Sequence, residues 1–103
     1  DRLVISMNAE LDHHLADEMR DVIDTIIEER GVCHLIFDFS KISFMDSSGI
    51  GLIMGRYKKL QENGSISIAG ANDSIQRIIL ISGLHKLVHT CKDVSQAAKN
   101  IEK

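Results

Sequence analysis

An α/β domain of alternating strands and helices, built as a two-layer sheet with about four helices packed mainly on one face, is the fold this 103-residue chain predicts. Three observations carry it. At 44% hydrophobic content the chain fits one core and has length for no second domain, since a chain of this size buries roughly 60 to 70% of its unfolded surface. Short segments with a period of two are separated by longer ones whose apolar residues recur every three or four positions. The strand segments alternate apolar with polar residues, whereas a strand covered on both faces runs continuously apolar.

The elements follow in order. Leu3 to Asn8 alternates as a strand, and Ala9 to His14 leads toward a helix. Leu15, Met19, Val22, Ile23, Ile26 and Ile27 form its apolar stripe, with Asp17, Arg20, Asp21 and Asp24 among the residues opposite, until Gly31 supplies a stop. His34 to Ser40 is a strand with Leu35, Phe37 and Phe39 on one side and His34, Ile36, Asp38 and Ser40 on the other. A second helix runs from Ser47 to Asn63, with Ile50, Ile53, Met54, Tyr57 and Leu60 facing inward and Asn63-Gly64 closing it. Ile66 to Gly70 alternates as a strand. Asp73 to Ser82 is a third helix carrying Ile75, Ile78, Ile79 and Leu80, ended by Gly83. Leu87-Val88-His89 is a short strand, and Val94, Ala97, Ala98 and Ile101 mark a last amphipathic helix.

Charge and composition exclude several functions. With 12 basic against 15 acidic residues and a formal charge of -3, there is no dense positive stripe to neutralise the phosphates of a nucleic acid. No window approaches the roughly 18 apolar residues of a membrane span, and the start lacks the pattern of a secretory signal. The expectation is a soluble, cytoplasmic protein without membrane or nucleic-acid contacts. A chain that begins at Asp1 is expected to be trimmed, with an opening strand lost. Cys33 and Cys91 stand alone, outside any C-x-x-C pair, and are expected to be reduced structural thiols.

Phe44-Met45-Asp46-Ser47-Ser48-Gly49-Ile50-Gly51 is the segment where chemistry is expected, because small polar residues stand where a strand hands over to a helix. The first N–H groups of a helix lack internal partners and the macrodipole is positive there, so an anion is favoured. Gly49 and Gly51 are expected to keep the surface low and accessible, at a cost in helix propensity. Asp46, Ser47 or Ser48 could equally be an ordinary N-cap. A catalytic serine is disfavoured because the G-x-S-x-G elbow is missing, and a Walker loop because no G-K-[ST] follows. A receiver-like domain phosphorylated on Asp46 is a nearer rival, weakened by the missing acidic pair after the first strand. His13 and His14 are weak metal candidates, having no cysteine or acidic residue at supporting spacing, so neither metal nor cofactor is expected.

Glu10-Leu11-Asp12-His13-His14 with Ala16 and Arg20, then Ser43 to Gly51 running into Gly55-Arg56-Tyr57-Lys58, and finally Ser82-Gly83-Leu84-His85-Lys86, resemble the phosphorylatable sporulation anti-sigma factor antagonists, which are STAS domains. The resemblance spans nearly the whole chain. It implies one STAS domain over residues 1–103 with a mixed sheet, no enzymatic activity, and a monomer when alone. It also implies that Ser48, the second serine of D-S-S-G, accepts phosphate from an anti-sigma factor that is itself a serine kinase, and that a PP2C-type phosphatase removes it. The docking surface it implies comprises Asp12, His13, His14, Asp46, Ser47, Gly49, Ile50 and Gly51. A STAS domain from a stressosome subunit or a transporter would share the fold and differ in partner.

Overall fold

The computed structural model describes residues 1–60, 62 and 64–102. Four strands, β1 (Arg2–Ser6), β2 (His34–Asp38), β3 (Ser65–Ala69) and β4 (His89–Cys91), alternate with helices α1 (His13–Arg30), α2 (Ser47–Lys59), α3 (Asp73–Ile81) and α4 (Val94–Glu102). The expected element order is therefore present. The sheet runs β1-β2-β3-β4 in chain order.

The resemblance implies a mixed sheet, but among the described residues all three strand pairings are parallel, with Leu3 opposite Leu35, Leu35 opposite Ile66 and Ile68 opposite Thr90. Each neighbouring pair of parallel strands needs a crossover, which α1, α2 and α3 supply. Crossovers of one hand, stepping in one direction across the sheet, put their helices on the same face. On that face Leu35, Phe37, Ile66 and Ile68 pack with Ile23 of α1, Ile53 of α2 and Ile75 and Ile79 of α3 to form the main core.

The chain then crosses to the other face. There α4 lays Ala97 over Ile36 and Ala69, with Cys91, Val94, Ala98 and Ile101 around them. Ile36, expected on the polar side of its strand, is thus fully buried, and β2 and β3 are partly covered on both faces. Neither cysteine forms a disulfide; both are half-buried.

Helix ends follow their residues. Asp12 caps α1 by accepting the Leu15 N–H at 3.0 Å, and Gly31 ends it at φ 63°, the left-handed region that a residue without Cβ enters at little cost. Asn72 caps α3 by accepting the Ile75 N–H at 2.9 Å. Helix α2 ends at Lys59; the expected closure at Asn63 lies outside the described residues. The strand expected at Leu87 begins instead at His89, because Leu84–Lys86 forms a 3₁₀ turn that drives Leu84 into the core.

Three apolar residues expected inside face outward: Val22, Tyr57 and Leu80 are exposed, the last beside an exposed Ile81. In their place α1 buries Ala16 and α2 buries Leu52 and Arg56. No helix among the described residues is long and apolar enough to cross a membrane.

Candidate functional site

Two helix N-termini are brought side by side. Leu11, just ahead of α1, bridges in parallel to Met45, just ahead of α2: its N–H donates to Phe44 O at 2.8 Å, and its carbonyl accepts the Asp46 N–H at 3.3 Å. Leu11 and Met45 are both buried, so this bridge is fixed by the core. The consequence is a shared rim formed by Asp12, His13 and His14 from one loop and Asp46, Ser47 and Ser48 from the other, at the positive ends of two dipoles.

The competition among three cap candidates is resolved in favour of Asp46. Its carboxylate accepts the Ser48 N–H at 2.8 Å with the extended backbone typical of an N-cap. Ser47 is exposed and Ser48 half-buried, and among the described residues the Ser48 hydroxyl makes no hydrogen bond. The serine is therefore not used for capping. It lines a groove of about 240 Å³ between the helices, with Gly51, Leu52 and Arg56 on its own helix and Ala16, Asp17 and Arg20 on α1.

The second capping aspartate is Asp12. The Leu15 N–H holds its carboxyl below the usual carboxylate range, aided by the nearby His14, although burial opposes the shift. His13 and His14 are exposed and their rings lie 4.0 Å apart between centroids. Among the described residues no group of three or more His, Cys, Asp or Glu is arranged to hold a metal.

Two members of the expected docking surface are not accessible. Gly49 and Ile50 are buried, so they pack the chain itself and present no surface to a partner. A Cβ on Gly49 would fall on Met45 Cγ, 2.6 Å from Met45 Sδ and 3.1 Å from Leu11 Cδ2. Gly49 is thus required by the close approach of α2 to the bridge below it. Gly51, where an added Cβ would meet nothing within 4 Å, is the glycine that keeps the surface low.

Gly49→Ala is expected to destabilise the chain by up to about 2 kcal/mol, since overpacking costs roughly 1–3 kcal/mol and the helix gains back about 1. A thermal melt checks this; an unchanged or higher midpoint would mean that Met45 moves aside freely.

Three residues near the serine pair have no role assigned from the sequence. Phe44, 49% exposed, offers an apolar contact next to the serine pair. Arg20 and Arg56 line the groove with Ser48. Their spacing does carry a signal: Arg56 lies eight residues after Ser48, on the same helical stripe. Nothing local reveals that Arg20 faces that stripe from another helix.

The fold that carries this site is shared with known proteins. The sequence profile of the STAS domain matches residues 1–97. The chain belongs to the STAS domain family. It is 37% identical over 87 residues to the anti-sigma F factor antagonist of Paenibacillus polymyxa, which covers 84% of this chain and 74% of that protein. The anti-sigma-B factor antagonist of Staphylococcus aureus is 33% identical over 86 residues, covering 82% and 79%.

Among solved structures, the Bacillus cell fate determinant SpoIIAA in its phosphorylated form superposes with a TM-score of 0.76 at 31% identity, over 97% of this STAS domain and 90% of that chain. A sulfate transporter family protein of Wolinella succinogenes reaches a TM-score of 0.82 at 15% identity, over 98% and 84%, and shows the shared fold alone.

Proposed function

We propose that this STAS domain is an anti-sigma factor antagonist acting in sporulation, switched by phosphate on Ser48. Unmodified, it docks through the rim of Asp12, His13, His14, Asp46, Ser47, Ser48 and Gly51 on an anti-sigma factor and so releases the sigma factor. The anti-sigma factor is also an ATP-dependent serine kinase. In its reaction the Ser48 Oγ forms a bond to the γ-phosphorus of ATP, the bond to the ADP oxygen breaks, and the hydroxyl proton passes to a base on the kinase. The modified chain no longer docks, and a PP2C-type phosphatase restores it by hydrolysis. The domain itself is a binding module of the cytoplasm, monomeric when alone, with no catalytic residue, metal or cofactor.

One observation carries this reading: the Ser48 hydroxyl is uncommitted because Asp46 has taken over the capping of α2. A phosphate there adds about -1.5 to -2 charges at the mouth of a helix, which the helix end tolerates and an apolar or acidic partner surface does not. The names of the relatives, anti-sigma F and anti-sigma-B factor antagonists, support the same role. Phosphorylation on Asp46 is the poorer alternative, since its carboxylate is engaged with the Ser48 N–H.

A pull-down with the anti-sigma factor, with and without ATP, tests the scheme. Complex is expected without ATP, and with ATP it is expected to dissipate as an acid-stable phosphate appears on Ser48 by mass spectrometry. Phosphate on Ser47, acid-labile phosphate on Asp46, or no phosphate at all would reject it.

A further inference from the structure

The groove beside Ser48 contains a side chain whose hydrogen bonding is incomplete. Arg56 is only 6% exposed, and neither Nε nor Nη1 forms a hydrogen bond. Its Nε lies 2.8 Å from Asp24 Oδ1, within ion-pair range, but the N–H is not aligned with the oxygen, which is itself without a hydrogen bond. Buried donors without acceptors are costly, and a guanidinium carries five. Asp24 is shared besides, since Lys59 Nζ approaches its other oxygen at 3.6 Å.

Across the groove stands Arg20, half exposed. It is held by one contact at 3.3 Å to Asp17 and one at 3.4 Å to Asp21, both carboxylates being largely in solvent. Exposed pairs of this kind are weak and easily exchanged. Both arginines line the cavity that Ser48 lines. Ser48, Leu52 and Arg56 fall at successive i, i+4 positions of α2, so Arg56 shares the helical stripe that carries Ser48. Ala16 and Gly51 leave the space between them unfilled.

We propose that a phosphate on Ser48 folds back into the α1–α2 groove of its own chain and is held there by Arg20, with the incompletely bonded guanidinium of Arg56 at the floor. The inference rests on reading Ser48 as the acceptor and adds where the phosphate goes. A phosphoryl group offers three strong acceptor oxygens, matched to the planar fork of an arginine better than the single carboxylate oxygens that Arg20 now touches. Two carboxylates oppose it: Asp17 on the groove wall and Asp46 at the cap. Arg20 therefore has to leave Asp17 and turn inward. The modified domain would carry its new charge as a fixed part of the surface, with Arg20 withdrawn from the docking rim.

The full chain carrying phosphoserine at position 48, installed during synthesis, allows a test that needs neither kinase nor partner. In a ³¹P NMR titration the second ionisation of the phosphate is expected below its ordinary value of about 6 by roughly half a pH unit or more. Arg20→Gln is expected to move it back toward about 6, and Arg20→Lys, which keeps the charge without the fork, to recover only part of the shift. The side-chain ¹⁵N signals of Arg56 are expected to move when the phosphate is present. An ionisation identical in the parent and Arg20→Gln chains, or Arg56 signals indifferent to the phosphate, overturns the proposal. A kinase that leaves Ser48 unmodified would sink the proposed function without changing this result.

Discussion

Ser48→Asp is expected to bind the anti-sigma factor at least about tenfold more weakly than the parent chain, while Ser48→Ala binds as the parent does and resists inactivation by ATP. A tenfold loss corresponds to about 1.4 kcal/mol, well within the several kcal/mol that like-charge juxtaposition costs in a packed interface. The geometry explains why so small a change suffices. Ser48 stands at the junction of two loops that the Leu11–Met45 bridge holds in one rim, so a charge there lies within the footprint of any partner that engages both. The backbone of α2 has no reason to move, because the capping bond runs from Asp46 to the Ser48 N–H and leaves the side chain out. Circular dichroism of both variants should match the parent. Isothermal titration decides the matter: equal affinity of the two variants would remove Ser48 from the interface.

Asp24→Asn is expected to cost about 2–4 kcal/mol of stability, a large part of the 5–15 kcal/mol typical of a domain. Asp24 is 19% exposed at its side chain and Arg56 only 7%, so removing the carboxylate's charge leaves a guanidinium with little water and no counter-charge inside the α1–α2 contact. Breaking a buried pair by deleting one partner costs roughly 3–5 kcal/mol, discounted here because Asp24 is not fully buried. Urea unfolding would show the midpoint lowered by about 1–3 M for ordinary slopes. Replacing both partners by apolar residues, Asp24→Leu with Arg56→Met, should recover most of the loss, since no isolated charge then remains. A drop below about 0.5 kcal/mol for Asp24→Asn would mean that Arg56 reaches solvent and that α1 and α2 are held together by their apolar contacts alone.

The same pair links stability to the candidate site. Arg56 lines the groove of Ser48 at one end and binds Asp24 of α1 at the other.

Much of this domain is legible along the chain because it is encoded within a few residues. The period of two in His34 to Asp38, the period near 3.6 in α1, and the aspartates and glycines at helix ends determine the strands, helices and caps without reference to anything distant. The D-S-S-G segment marks the serine pair at a helix mouth in the same way. What the sequence leaves open are contacts between elements.

Three choices belong to the tertiary structure. Which of Asp46, Ser47 and Ser48 caps α2 depends on the backbone that the Leu11–Met45 bridge imposes, and that bridge joins residues far apart in the chain. Whether Ile36 is covered depends on where α4 lands after β4. Asp24, expected on the outer side of α1, and Arg56, on a helix with an expected apolar stripe, pair only because the two helices pack at one particular rotation and height. Local periodicity says which residues share a face; it carries no information on which face of a second element arrives opposite, because that is set by strand order, crossover and core packing together.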